Sequence, residues 1–88
     1  MLEKTIERAV CKAAKAAGWL CFKFTSPGNV GVPDRLFIKD GRHIFIEFKA
    51  PGRQPRKIQI AVINKMIATG AEVYIVDDIE EGKEILGC

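Results

Sequence analysis

Asp34, Glu47 and Lys49 are ionisable residues within VPDRLFIKDGRHIFIEFK, a stretch that otherwise reads as two apolar strands joined by a turn. Side chains alternate along a strand, so Glu47 and Lys49 point to one face and Ile46 and Phe48 to the other. If the strands pair antiparallel across the Asp40-Gly41 turn, Asp34 falls opposite the Glu47 to Lys49 region and the three charges converge. Two adjacent carboxylates repel unless a cation lies between them, and oxygen donors of this kind suit Mg²⁺ or Mn²⁺. A lysine beside such an ion can position or help deprotonate a water and stabilise charge developing on a phosphoryl oxygen. The chemistry in view is phosphodiester hydrolysis. The plainer alternative is an exposed Glu47 to Lys49 ion pair on a solvent-facing strand, which contributes little to stability.

The elements that must hold these residues follow from periodicity and turn residues. Leu2, Ile6, Val10, Ala13 and Ala17 make one stripe on a helix over residues 2–17, stopped by Gly18. WLCFKFT, residues 19–25, reads as a strand with Leu20, Phe22 and Phe24 on one face and Trp19, Cys21 and Lys23 on the other. SPGNVGVP is a loop, with two glycines and two prolines. The second strand starts at about Asp34, and the third runs from about His43 to Lys49. Pro55 suits the first turn of a second helix that ends before Gly70. AEVYIVD, residues 71–77, reads as an interior strand covered on both faces, and a short helix over 79–86 closes the chain.

The second helix is apolar over a wide arc: Ile58, Val62 and Met66 form one stripe, and Ile60, Ile63 and Ile67 form a neighbouring one. That exceeds what one small sheet covers, so a partner surface is expected. Within the arc, Gln59 points inward, where an unpaired amide costs about 1 to 3 kcal/mol.

At 88 residues, 48% hydrophobic and 28% charged, the chain has the composition of one ordinary globular domain, residues 1–88. It has no run of the roughly 18 to 20 apolar residues that a membrane span needs. MLEKTIERAV mixes acids and bases without an apolar signal core, so a cytoplasmic location is expected. Cys11, Cys21 and Cys88 lack CxxC spacing and, with the lone His43, make no zinc site, so they read as reduced thiols. The net charge is only +3, but its distribution says more. Lys4, Arg8, Lys12 and Lys15 recur at helical spacing and fit a solvated face about as well as nucleic acid, while Arg53, Arg56 and Lys57 crowd one loop after the charged hairpin.

PD followed in the next strand by EFK matches the signature of the PD-(D/E)XK nuclease superfamily. The fuller string, SPGNVGVPDR, the GR turn, IFIEFKAPG and Gln59, resembles the VRR-Nuc domains, stand-alone versions of which are typical of bacteriophages. The likeness spans nearly the whole chain. It implies a restriction-endonuclease-like αβββαβ core with a mixed central sheet flanked by helices, in agreement with the element order above. It also implies roles: Asp34 and Glu47 as metal ligands with the backbone carbonyl of Phe48 as a third, Lys49 as the water-positioning base, and Gln59 hydrogen-bonded within the site. Glu7 best matches the acid that the first helix lends in these nucleases, and Glu3, one turn earlier, is its competitor. Ser26, Asn29 and Arg35 join Arg53, Arg56 and Lys57 as nucleic-acid contacts. RQPRKIQ departs from many relatives in being more basic and in placing Pro55 at the helix start.

The expected activity is that of a Mg²⁺- or Mn²⁺-dependent DNA endonuclease, a Holliday-junction resolvase acting as a homodimer through helix 55–69. A nucleic-acid-binding module that keeps the fold without turnover is the alternative. The intact acid, acid, lysine set argues against it, because a binding module has no need to hold three mutually dependent charges together.

Overall fold

In the computed structural model, which describes residues 1–88, the first helix α1 (Glu3–Ala16) buries Ile6, Val10, Cys11 and Ala14, one face at helical spacing. Leu2, expected to begin that stripe, is the exposed N-cap residue instead. The strands β1 (Leu20–Lys23), β2 (Arg35–Lys39) and β3 (Arg42–Phe48) follow, then α2 (Lys57–Ala68), β4 (Glu72–Val76) and α3 (Ile79–Ile85). All three helices end in the same motif. The N–H of Trp19 donates to Ala14 O, that of Ala71 to Met66 O, and that of Cys88 to Lys83 O, each one residue beyond a glycine in the left-handed region.

Asp40 and Gly41 both take positive φ, 51° and 76°, the conformation of the tight turn that joins β2 to β3. The register pairs Arg35 with Ile46, so one step further sets Asp34 across from Glu47. β1 and β2 are antiparallel, and β4 runs parallel to β3 after the α2 crossover, giving the order β1-β2-β3-β4 in a mixed sheet. β4 is therefore an edge strand, not the interior strand expected from its sequence. Its faces are covered only in part: α2 and α3 both pack against it, Val76 is buried, and Ile75 stays 39% exposed.

One sheet face carries the core: Phe37, Ile44, Ile46, Phe48 and Val76 pack against Ile6, Val10 and Ala14 of α1, with Leu86 closing the cluster. Trp19 lies outside β1, in the core, and its indole N–H donates to Leu86 O at 3.0 Å. Gly82 of α3 lets that helix press against α1, because a β-carbon there would lie 2.7 Å from a Val10 methyl. Burial and the neighbouring Cys21 push the Cys11 thiol up to about 12, so it packs as an apolar group.

The other face is covered more thinly. α3 packs on α1 and β4, so it does not cover α2, whose Ile58, Ile60 and Ile67 stay exposed along with Leu20 and Phe22 of β1. α2 begins at Lys57, with Pro55 outside it and Arg56 as its N-cap. The Gln59 side chain sets that boundary by accepting the Arg56 N–H at 2.8 Å. Gly31, at φ 97°, brings the glycine-rich loop against the start of α2, where a β-carbon would lie 3.0 Å from the Ile58 carbonyl oxygen. No helix is long and apolar enough to cross a membrane.

Candidate active site

The alternation of β3 directs Ile44, Ile46 and Phe48 into the core and places Glu47 on the opposite face, beneath the first turn of α2. There Glu47 is only 2% exposed. Its Oε2 accepts from Gln59 Nε2 at 2.8 Å and lies 3.4 Å from Lys49 Nζ. Its Oε1 is buried with no hydrogen-bond partner. The exposed surface ion pair is therefore excluded. Burial pushes the Glu47 carboxyl up to about 7, the Asp34 charge adds to the shift, and Lys49 offsets only part of it.

Asp34 immediately precedes β2, and its Oδ2 accepts the Phe48 N–H at 2.8 Å, tying the loop end to β3. Burial also raises the Asp34 pKa. The Phe48 N–H opposes that shift, while the charges of Glu7 and Glu3 reinforce it. Two carboxylates thus share a partly dry site with one nearby lysine, an arrangement short of positive charge. The orphaned Glu47 Oε1 and this charge shortage fit a divalent cation. No group of three or more His, Cys, Asp or Glu side chains converges as a metal cage anywhere in the chain. Mg²⁺ does not need one, since it keeps several waters and is commonly held through one or two carboxylates.

The two candidate acids of α1 are placed differently. Glu7 Oε2 lies 2.6 Å from Arg35 Nε, a largely buried pair. Glu3 shares a cavity of about 420 Å³ with Lys49, Ala50, Arg53 and Gln54. Asp34, Glu47, Lys49 and Gln59 are thus brought together, with Glu3 on the rim beside Lys49 and Glu7 engaged by Arg35.

A protein described as "Putative nuclease p44", from Acyrthosiphon pisum secondary endosymbiont phage 1, is 38% identical over 76 residues, covering 85% of this chain and 82% of that one. The chain belongs to this phage nuclease family. A solved structure described as a VRR_NUC domain matches with a TM-score of 0.88 at 23% identity, over 97% of this chain and 94% of the other. The fold is that of a VRR-Nuc domain, as the resemblance implied. No family model matches the chain.

Within this VRR-Nuc fold the expected nucleic-acid contacts divide among three places. Arg53 enters the cavity that holds Glu3 and Lys49, and Arg56 and Lys57 are exposed at the start of α2. Ser26 and Asn29, joined by a 2.9 Å hydrogen bond, line a separate groove with Val30, Ile58, Val62 and Met66. Arg35 lies with Glu7 in a third cavity, lined also by Lys4, Arg8 and Lys23. Lys23 was not singled out from the sequence. Its signal was its place in β1, a charge on the same face as Trp19 and Cys21.

Proposed function

We propose that the chain is a divalent-metal-dependent endonuclease that hydrolyses phosphodiester bonds in branched DNA, above all at a four-way junction, and that it acts as a homodimer. One observation carries the hydrolytic reading: Glu47 is buried to 2% exposure beside Asp34, with a carboxylate oxygen that has no partner inside the chain. A fold gains nothing from such an atom, since it costs on the order of 1 to 3 kcal/mol, more for a charged group.

Asp34, Glu47 and the Phe48 carbonyl would hold Mg²⁺ or Mn²⁺, which when bound supplies Lewis-acid neutralisation of phosphoryl charge and acidifies water. The chain's own residues do the rest. Lys49 Nζ, 3.4 Å from Glu47 Oε2, orients the attacking water and offers positive charge to the phosphoryl oxygen. Gln59 holds Glu47 Oε2 from α2, so the free Oε1 keeps one direction. Water oxygen bonds to phosphorus and releases one proton to bulk water, the bond to the leaving sugar oxygen breaks, and that oxygen takes up a proton from bulk water.

Dimerisation is supported by the uncovered apolar surface of α2 and β1, where Leu20, Phe22, Ile58, Ile60 and Ile67 stand between 41% and 56% exposed. A two-fold pair of sites matches a junction, which needs two symmetric nicks to resolve.

The test is incubation of supercoiled plasmid and of a synthetic four-way junction with the chain and Mg²⁺ or Mn²⁺, with EDTA as control. Cleavage is expected with metal and absent in Asp34→Ala, Glu47→Ala and Lys49→Ala, each still binding DNA. Near wild-type cleavage by Glu47→Ala would sink the site assignment. Binding without cleavage by the wild type, whatever the metal, would leave only a nucleic-acid-binding module.

A further inference from the structure

The cavity of about 170 Å³ between α1 and the β1-β2 edge is lined by Lys4, Glu7, Arg8, Lys23 and Arg35, with no apolar residue. These five carry a net charge of +3, equal to that of the whole chain, so the remaining residues sum to zero. The concentration is costly to the fold in two separate ways. Lys23 and Arg35 are directly paired across β1 and β2, and like charges opposite one another in a sheet are destabilising. Lys4 and Arg8 stand four residues apart on α1, a like-charge pair that weakens a helix. The one carboxylate present, Glu7, is taken by Arg35 at 2.6 Å, and none of Lys4, Arg8 and Lys23 makes an ion pair with any acid of the chain.

A merely solvated face would keep these side chains apart. Here three elements, α1, β1 and β2, bring them into one concavity. Arg35 is the chain neighbour of Asp34, and the charge of Glu7, which Arg35 holds, reaches the Asp34 carboxyl. Arg53 lies in the other cavity, on the Lys49 side. α1 contributes to both cavities, Glu3 to one and Lys4 to the other.

We propose that the Lys4, Arg8, Lys23 and Arg35 cavity is a second phosphate site, seating a backbone phosphodiester of the DNA away from the phosphodiester being cut. It rests on the nuclease reading and extends it. Glu7 has a positioning part, steering the Arg35 guanidinium into the cavity. A phosphate seated there, together with the one being cut, fixes the strand's direction without reading any base.

The experiment measures DNA binding in EDTA, so that no cleavage intervenes, across a range of salt. Lys4→Ala, Arg8→Ala and Lys23→Ala together are expected to reduce the slope of log affinity against log salt by about 0.9, the counterion release of one phosphate in duplex DNA. A control set of equal charge loss, Lys12→Ala, Lys15→Ala and Lys83→Ala, is expected to leave the slope unchanged. A scan of single uncharged methylphosphonates through the bound strand gives the second readout. One linkage should weaken the wild type about tenfold and leave the cavity variant unaffected. Equal slope losses in both variants, or no linkage whose effect disappears in the cavity variant, would overturn the phosphate site while leaving the nuclease reading intact. A wild type that binds no DNA would remove both readings.

Discussion

Gln59 and Glu47, twelve residues apart on different elements, are joined by a 2.8 Å hydrogen bond from Gln59 Nε2 to Glu47 Oε2. The same Gln59 side chain accepts the Arg56 N–H through Oε1, so one amide caps α2 and anchors the buried acid. Replacing it by leucine leaves the Arg56 N–H without that acceptor and Glu47 Oε2 without that donor. The Gln59→Leu variant is expected to lose about 10- to 100-fold in cleavage rate with DNA binding unchanged. Gln59→Glu should be at least as damaging, because it sets another carboxylate against Glu47. Wild-type rates in both would remove Gln59 from any positioning part.

The stability of the metal-free chain should fall as pH rises. Glu47 is pushed from 4.5 to about 7 in the fold, so between those values the folded state binds the proton that the unfolded state has released. The stabilisation is complete below about pH 4.5 and is lost on approach to about pH 7, by at most about 3 kcal/mol. Asp34 is raised too and adds in the same direction, whereas Glu72, lowered by Arg42 and Tyr74, acts only below the ordinary carboxylate range. In EDTA the thermal midpoint is expected to be higher near pH 5 than near pH 8. Glu47→Gln should flatten most of that difference, and millimolar Mg²⁺ should raise the wild-type midpoint near pH 8. An identical pH profile in Glu47→Gln would assign the effect to other groups.

The two acids of α1 should separate by phenotype. Glu3 faces Lys49 and Arg53 across an open cavity, whereas Glu7 is 2.6 Å from Arg35. Glu3→Gln is expected to lower cleavage several-fold with little change in melting temperature. Glu7→Gln should lower the melting temperature more and cleavage less. The reverse pattern would favour Glu7, the acid that the family resemblance matches best, as the one that tunes the metal.

Much of this site was legible because strand alternation and one Asp-Gly turn fix geometry without tertiary information. Asp40-Gly41 sets the register, the register sets Asp34 opposite Glu47, and alternation puts Lys49 with Glu47. Gln59 was legible as a polar residue on an apolar arc. Three things were not. The edge position of β4 depends on strand order, which an apolar run does not encode, since an edge strand that α2 and α3 cover in part carries the same pattern. The placing of Glu7 against Arg35 and of Glu3 beside Lys49 depends on how α1 is rotated over the sheet, and glutamates one turn apart share a flank of the helix. The pairing of Lys23 with Arg35 requires the β1-β2 register across an eleven-residue connection, which no turn motif specifies.

The basic loop should carry phosphate contacts of its own. Arg53, Arg56 and Lys57 are all exposed, and none forms an ion pair within the chain. Their joint replacement by alanine is expected to weaken binding to duplex, flap and junction DNA alike and to flatten the salt dependence by about 0.9 per phosphate lost. An unchanged salt slope would leave these side chains with a part in solubility alone.

The dimer prediction turns on α2. Ile63 is buried, while Ile60 and Ile67 stand 41% and 49% exposed and α3 packs elsewhere, on α1 and β4. These isoleucines and the open Leu20 and Phe22 of β1 supply an apolar surface that no other element of the chain covers. Light scattering at micromolar concentration is expected to give twice the monomer mass for the wild type and the monomer mass for an Ile60→Glu, Ile67→Glu double variant. A carboxylate at each position would have to be dehydrated for the two faces to meet, which costs far more than the apolar contact returns. Asp34, Glu47, Lys49 and Gln59 are untouched by these changes, so the monomeric variant should still nick plasmid with metal but lose the paired, symmetric nicks at a four-way junction. A wild-type mass of one chain would defeat the dimer, and paired nicking by a monomeric variant would cut the link between two-fold symmetry and junction resolution.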